Sequence, residues 1–463
     1  MDNTEYKLGL QKEYMARVAA LNEGRGLKAY VLTFGCQQNE ADSEKISGML
    51  KTMGYTLTND ENEADFFIVN TCAVREHAEL KALSITGQFK HIKERKPDVV
   101  IGICGCMVSQ EHRVGDIKNR YPYIDFLFGT SMLPYFPQIL YTVLTKPGRQ
   151  FYNIDLAEDF IAEDIPVVRA DKYKAWVSIM YGCNNFCTYC VVPYVRGRER
   201  SRDREAILEE VRQLAAQGYR EITFLGQNVN SYKGGEDGYD FADLLSDAAK
   251  IEGDFTLRFM TSHPKDASKK LIDVMAREDK VAKHFHLPLQ SGSDAILNKM
   301  NRRYTREKYL SLVSYMREKM PDIGITTDII VGFPGESEED FQGTLDMLEK
   351  AQFDNIYAFV YSIRRGTPAE KMPDQIPDKV KKERFARLLA KQNEISLARN
   401  KQSEGEYVQV LVEGFSKTDE SKLTGRTEKG RLVHFEGDES LIGKTLKVKI
   451  TKAETYMLFG ELG

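Results

Sequence analysis

The residues with the most chemical potential in this 463-residue chain are its seven cysteines, and their spacing is uneven. Cys183, Cys187 and Cys190 fall within CNNFCTYC, a C-x3-C-x2-C pattern. Three thiolates on one short loop can hold three corners of a [4Fe–4S] cube and leave the fourth iron open to an exchangeable ligand. Structural zinc is the alternative, but it prefers paired C-x2-C units and four ligands, where this loop offers three. The remaining four, Cys36, Cys72, Cys104 and Cys106, are spread over the first part of the chain. Seven is an odd number and far from a disulfide density, so metal or catalytic use is favoured in a reducing compartment.

Cys36, Cys72 and Cys106 are distant in sequence but share one setting. Each follows an apolar strand-like run and precedes a helix-like stretch. In a doubly wound sheet such positions converge on one edge crevice, and helix N-termini favour negative thiolates. A second three-cysteine cluster with an open iron follows. The competing reading is that these are buried apolar cysteines, among the most buried residue types. That reading suits Cys104, which lies on the strand-like run itself, although its side chain would point to the same face as Cys106. Cys106 is preferred as the ligand because it ends the strand.

The surrounding sequence must supply these positions. A polar leader (1–26) precedes a βα alternation: KAYVLTFG (28–35), DFFIVNT (65–71), VVIGICG (99–105) and DFLFG (125–129), each followed by an amphipathic stretch. Apolar strands buried on both faces predict a parallel, doubly wound N-terminal sheet (27–146). A charged, irregular stretch (147–170) reads as a linker. Six further βα units follow in 171–400, with strands at 175–182, 221–227, 256–262, 284–290, 325–333 and 355–362. Right-handed crossovers curl six such units into an incomplete (β/α)6 barrel. Beyond a basic helical stretch, residues 401–463 break into five short Gly-punctuated strands, a small all-β barrel. The fold class is α/β with this terminal appendix. A formal charge of −4 offers no overall attraction to nucleic acid, so RNA contact must come from local patches. The polar N-terminus and the lack of a long apolar run predict a cytoplasmic protein with no membrane span.

S-adenosylmethionine can chelate an open iron through its amino and carboxylate groups, and one electron from the cluster then breaks a carbon–sulfur bond. CNNFCTYC resembles the signature of the radical S-adenosylmethionine superfamily, and VSIMYGCNNFCTYCVVPYVRGRERSR (177–202) resembles its methylthiotransferases. LGQNVNSY (225–232), MTSHPKD (260–266), HLPLQSGSD (286–294), TTDIIVGFPGE (326–336), TFGCQQNEADSEK (33–45), NTCAVRE (70–76) and GCM (105–107) extend the likeness over nearly the whole chain. They are most similar to the bacterial branch acting on a prenylated adenosine in tRNA. Where that family commonly has Met, this chain has Gln38. The resemblance implies a radical cluster on Cys183, Cys187 and Cys190 and an auxiliary, sulfur-supplying cluster on Cys36, Cys72 and Cys106. It places Tyr189 against the cofactor's adenine and makes Gly226, Gln227, Ser262, Gln290, Ser291, Asp328 and Gly332 line the cofactor. Independently, these last are polar or Gly at the C-terminal ends of strands, where ligands meet a barrel. The bland reading is loop capping and turn formation. No catalytic side chain is expected beyond the clusters and cofactor.

The resemblance further implies tRNA carrying dimethylallyladenosine as substrate, an external electron donor such as flavodoxin or ferredoxin, a sulfur donor, and a monomer. RGRERSRDR (196–204) flanks the predicted active-site mouth, and Arg196, Arg198 and Arg200 suit phosphate contact. Charge runs are also ordinary solvated faces. In the terminal barrel, which resembles a small RNA-binding module, Lys422, Arg426, Lys429 and Arg431 with Phe415 and Phe435 suit phosphate and base contact, or form part of a structural cap. Sibling enzymes act on threonylcarbamoyladenosine in tRNA or on a ribosomal-protein aspartate, and an electron carrier or RNA-binding regulator is the non-enzymatic rival. Neither His284 nor His286 is assigned a role.

Overall fold

The computed structural model describes residues 3–74, 76–152, 161–417 and 419–463. Residues 153–160 of the expected linker, Arg75 of NTCAVRE, and the first two residues of the leader lie outside them. By its contacts the chain forms two units, residues 1–170 with 180–184 and 190–202, and residues 171–179, 185–189 and 203–463.

The first unit begins with α1 (Asn3–Asn22), so most of the expected leader is a helix. Met15 and Val18 of α1 are buried in the unit's core, which makes it part of the fold. There follow β1 (Lys28–Thr33), α2 (Gln37–Thr52), β2 (Thr56–Leu57), β3 (Phe66–Thr71), α3 (Glu76–Arg95), β4 (Val100–Gly105), α4 (Glu111–Arg120), β5 (Phe126–Phe128), α5 (Phe136–Thr145) and β6 (Gln150–Tyr152). The strands form one parallel sheet in the order β2-β1-β3-β4-β5-β6. Strand order reverses between β1 and β3, the switch point at which doubly wound sheets bind ligands. Alternate residues of one strand serve opposite cores. Phe66 and Ile68 face α1, α2 and α5, whereas Phe67 and Val69 face α3 and α4. Each fully buried Phe contributes about 1.5–3 kcal/mol relative to exposure. The expected linker therefore opens with a strand, β6, too short to be announced by periodicity.

The second unit opens with β7 (Lys174–Ser178). The paired strands β8 (Met180–Tyr181) and β9 (Arg200–Ser201), with the short helix α6 (Val192–Arg196) between them, belong to the first unit. Then come α7 (Arg204–Ala216), β10 (Glu221–Leu225), α8 (Phe241–Ala249), β11 (Thr256–Phe259), α9 (Lys269–Arg277), β12 (His284–His286), α10 (Asp294–Lys299), α11 (Arg306–Lys319), β13 (Gly324–Val331), α12 (Glu338–Ala351), β14 (Asn355–Val360) and α13 (Asp378–Lys401). The six strands β7, β10, β11, β12, β13 and β14 are those expected. They pair in parallel as β7-β10-β11 and β12-β13-β14, with a bridge from Leu257 to Val281 beside the seam. Helix starts are locally encoded: Asp203, Asp240, Ser268, Ser293, Thr305 and Ser337 each accept a backbone N–H at an N-cap.

The chain ends in β15 (Tyr407–Phe415), β16 (Lys422–Thr427), β17 (Leu432–Glu436), β18 (Thr445–Ala453) and β19 (Met457–Leu462), closed as the barrel β15-β16-β17-β19-β18. Its β16–β17 turn is seated against the N-terminal ends of the parallel strands. Arg258 of β11 donates to the Thr427 carbonyl (2.9 Å) and the Glu428 carbonyl (2.7 Å). The Lys283 N–H, ahead of β12, donates to the Glu428 carboxylate (2.9 Å). Asp354, ahead of β14, accepts from the Ile325 N–H (2.7 Å), from Arg399 of α13 (3.0 Å) and from Arg431 of the turn.

Candidate metal and cofactor sites

Cys36, Cys72 and Cys106 stand where the sequence places them, after β1, β3 and β4. Cys36 is the N-cap residue of α2. Gly105 (φ +96°) turns the chain after β4 so close to Thr71 and Asn70 that a Cβ would collide with both. A buried amide network ties the three loops together. The Asn39 side chain donates to Thr71 O (2.9 Å) and Asn70 Oδ1 (3.1 Å), and Asn70 returns a bond to Asn39 O (2.9 Å). The Cys106 N–H donates to Thr71 O (2.8 Å), and the Cys36 thiol lies 3.4 Å from Asn39 Oδ1. Cys104 is different: fully enclosed, it packs in the apolar core with Phe66 and Phe126.

Burial pushes the Cys106 thiol up to about 12, Cys72 and Cys36 push in the same direction, and Arg196 opposes them. Arg196, on α6, is itself buried, with Nη2 2.9 Å from Asp42 Oδ2 and 3.3 Å from Asn39 Oδ1. Among the described residues no three His, Cys, Asp or Glu side chains converge tightly enough to ligate one ion. A four-iron cube makes a different demand: each thiolate binds its own iron, so the sulfurs stand apart across the cube. Three thiols on three rigid loops beside a buried cation fit that group.

The second cysteine loop follows β8. Gly182 (φ +79°) must be glycine, because a Cβ there would run into the Arg198 carbonyl. The Cys183 N–H donates to Gly197 O (3.1 Å). Farther along, Asn301 donates to the carbonyls of Asn185 (3.0 Å) and Phe186 (3.1 Å), and Thr188 bonds to Lys299 and Met300. Arg302 is buried and donates to the Cys187 sulfur (3.4 Å) and Pro288 O (2.8 Å). A thiolate at Cys187 thus meets a fixed cation, as an anionic cluster ligand requires.

Gly226, Gln227, Ser262, Gln290, Ser291 and Gly332 lie just beyond the C-terminal ends of β10, β11, β12 and β13. Gln290 holds φ +70°, bridging Asp328 O and the Ile330 N–H. The Gly332 N–H donates to Glu336 (2.8 Å), which Arg384 of α13 grips (2.8 Å). Tyr189 packs edge-on to Phe333 within an apolar group. Several buried polar atoms here find no partner among the described residues: Ser262 Oγ, His263 Nε2, Asn228 Oδ1 and both amide atoms of Asn230. Buried polar groups are nearly always satisfied, so orphans clustered on two neighbouring loops fit a polar ligand such as S-adenosylmethionine. His263 is held neutral, its pKa lowered to about 2 chiefly by burial. Asp328 departs from the expected placement. It lies inside β13, opposite Tyr357 of β14 and 3.6 Å from His286, below the strand ends.

The expected RNA contacts divide. Arg198 is exposed and Arg200 half-buried. Arg196 is a correction: buried and paired with Asp42, it faces the N-terminal cysteines. Arg202 of the same run is also buried, against Glu163 (2.6 Å). Lys422 and Arg426 remain on the surface beside Asp419 (3.0 Å) and Glu413 (3.3 Å). Arg431 is corrected too, since it is consumed by Asp354 and Asn400. Phe415 is exposed, whereas Phe435 is 1% exposed inside the terminal barrel and cannot stack on a base. Sequence reasoning missed Arg302, Asn39 and Asp42; the Asn and Asp one helical turn apart beyond Cys36 were the available signal for two of them.

The chain's three parts match known families: residues 28–129 the uncharacterized protein family UPF0004, 177–348 the radical SAM superfamily, and 401–462 the TRAM domain. Among solved structures, the radical S-adenosylmethionine methyltransferase TsrM from Kitasatospora setae superposes with a TM-score of 0.54 at 14% identity, covering 74% of this chain and 75% of that one, a likeness of fold. Curated relatives named tRNA-2-methylthio-N(6)-dimethylallyladenosine synthase are far more similar. That of Thermoanaerobacter sp. is 52% identical over 462 residues, 99% of this chain and 98% of its own. That of Alkaliphilus oremlandii is 52% identical over 457 residues, 98% of this chain and 97% of its own. The fold and cysteine loop define a radical S-adenosylmethionine enzyme. Within that class, the chain belongs to the methylthiotransferase family of these relatives.

Proposed function

We propose that this enzyme places a methylthio group on C2 of N6-dimethylallyladenosine next to the anticodon of tRNA. The observation that carries the reading is full-length similarity to relatives of that name, together with two separate cysteine triplets. Cys183, Cys187 and Cys190 would hold the cluster that binds S-adenosylmethionine, and Cys36, Cys72 and Cys106 the auxiliary cluster. When bound, these groups supply radical formation, methyl donation and sulfur. The target hydrogen is not acidic, so acid–base chemistry cannot easily exchange it for sulfur.

The chain's own residues bind and orient. Gly226, Gln227, Ser262, Gln290, Ser291 and Gly332 would line the cofactor, with Tyr189 against its adenine. Arg198, Lys422 and Arg426 would track phosphates, and an anticodon-loop base is single-stranded and can be splayed out at modest cost. Residues 27–146 would serve the auxiliary cluster, 171–400 the radical chemistry and 401–463 RNA binding. An external reductant of the flavodoxin or ferredoxin type, a sulfur donor, a monomeric state and a cytoplasmic location complete the proposal. Among the described residues no helix is long and apolar enough to cross a membrane.

The test is a competition in one reaction among tRNA bearing dimethylallyladenosine, unmodified adenosine and threonylcarbamoyladenosine, with methylthio nucleosides quantified. Burying a five-carbon prenyl group is worth up to roughly 4 kcal/mol, reduced by partial exposure to about a ten- to hundredfold preference. Preference for the threonylcarbamoyl form, or equal use of all three, overturns the assignment.

A further inference from the structure

Arg196 of the RGRERSRDR run is placed among the N-terminal cysteine loops, and its surroundings say why. It is 6% exposed, as is Asp42, its partner at 2.9 Å. Asn39, wholly buried, links the pair to the site: its Oδ1 is 3.3 Å from Arg196 Nη2 and 3.4 Å from the Cys36 sulfur. Ala73, Cys106, Val191 and Val195 form one apolar group, so α6, which carries Arg196, is packed directly against the Cys106 loop. A buried ion pair is rarely worth its desolvation for stability alone. Here the carboxylate is carried by α2, whose N-cap residue is Cys36, and the guanidinium meets it from α6, the helix packed on the Cys106 loop.

We propose that Arg196 is a positioning residue for the auxiliary cluster: its buried charge, steered by Asn39 and partly offset by Asp42, holds the anionic cluster and sets its reduction potential. This rests on Cys36, Cys72 and Cys106 being cluster ligands. Reduction adds negative charge at the site, so a nearby buried cation favours the reduced form and a nearby buried anion disfavours it. The two partners of one ion pair therefore act with opposite sign. A purely structural role lacks this signature, because breaking a structural pair from either side perturbs the fold in the same direction.

The test uses the full chain with Cys183, Cys187 and Cys190 changed to Ala, so that only the auxiliary cluster reports. Iron and sulfide are counted, and the midpoint potential is read by electron paramagnetic resonance. In this background R196M is expected to lower the one-electron equilibrium constant for reduction at least about tenfold, or about 60 mV. R196K should restore most of the shift, and D42N should move the potential upward. The double variant R196M/D42N carries no unpaired buried charge, which keeps a folded comparison available should R196M fail to fold. It should lie below the parent by less than R196M does. A background protein that binds no four-iron cluster overturns the ligand reading and this proposal with it. A cluster of unchanged potential in the R196M and double variants, or a downward shift in D42N, overturns the role of Arg196 while leaving the ligands standing.

Discussion

Replacing Asp354 by Ala tests the joint between the two barrels of the second unit. Its side chain is 4% exposed and binds Arg399, Arg431 and the Ile325 N–H. Burial alone would raise this carboxyl, but Arg399 and Arg431 outweigh it and hold the pKa below the ordinary value. Removal leaves two arginines, 17% and 12% exposed, without their shared partner. Breaking a buried pair from one side costs about 3–5 kcal/mol. At about 2–4 °C per kcal/mol, the melting temperature should fall by roughly 6–20 °C. Because the three side chains form one network, R431M made in the D354A background should cost about 0.5–3 kcal/mol less than R431M alone. Circular dichroism melts of the four proteins supply the cycle. A D354A melt within about 2 °C of the parent, or strict additivity, would refute the reasoning.

The same carboxylate predicts acid sensitivity. Its folded pKa is depressed, so the unfolded chain binds more protons, and the stabilisation present above about pH 4 is lost as pH falls through the folded value; urea melts from pH 6 to pH 3 should show this loss in the parent and little of it in D354A. C104A should leave iron content unchanged, whereas C106A should lose one cluster of about four irons, since only the latter thiol stands among the loops. R426M should reduce the salt slope of tRNA affinity by about one phosphate contact, while R431M, if folded, should not.

Much of this architecture is legible in the sequence because parallel strands buried on both faces read as apolar runs, and Cys36, Cys72 and Cys106 sit where those runs end. β2 and β6 escape because two or three residues carry no periodicity. The arginine run misleads for another reason. Alternating Arg looks like a solvated face, but Arg196 and Arg202 meet Asp42 and Glu163, far away in sequence, and only the folded chain reveals such pairs. Phe435 misleads similarly, since alternation in a closed barrel decides which aromatic is inside. Arg302 adjoins a second arginine in an unremarked turn, and nothing local marks it as a neighbour of Cys187.

The seating of the β16–β17 turn has a consequence for synthesis. Asp354 emerges 77 residues ahead of Arg431. At about 5–20 residues per second, that is roughly 4–15 s of translation. For most of that interval, once β14 has been made, the parallel strands are complete but the Glu428 carbonyl and Arg431 that finish their lower rim have not been. The nascent chain must therefore wait with an unsealed base, and it is in this window that a ribosome-associated chaperone would have the most to protect.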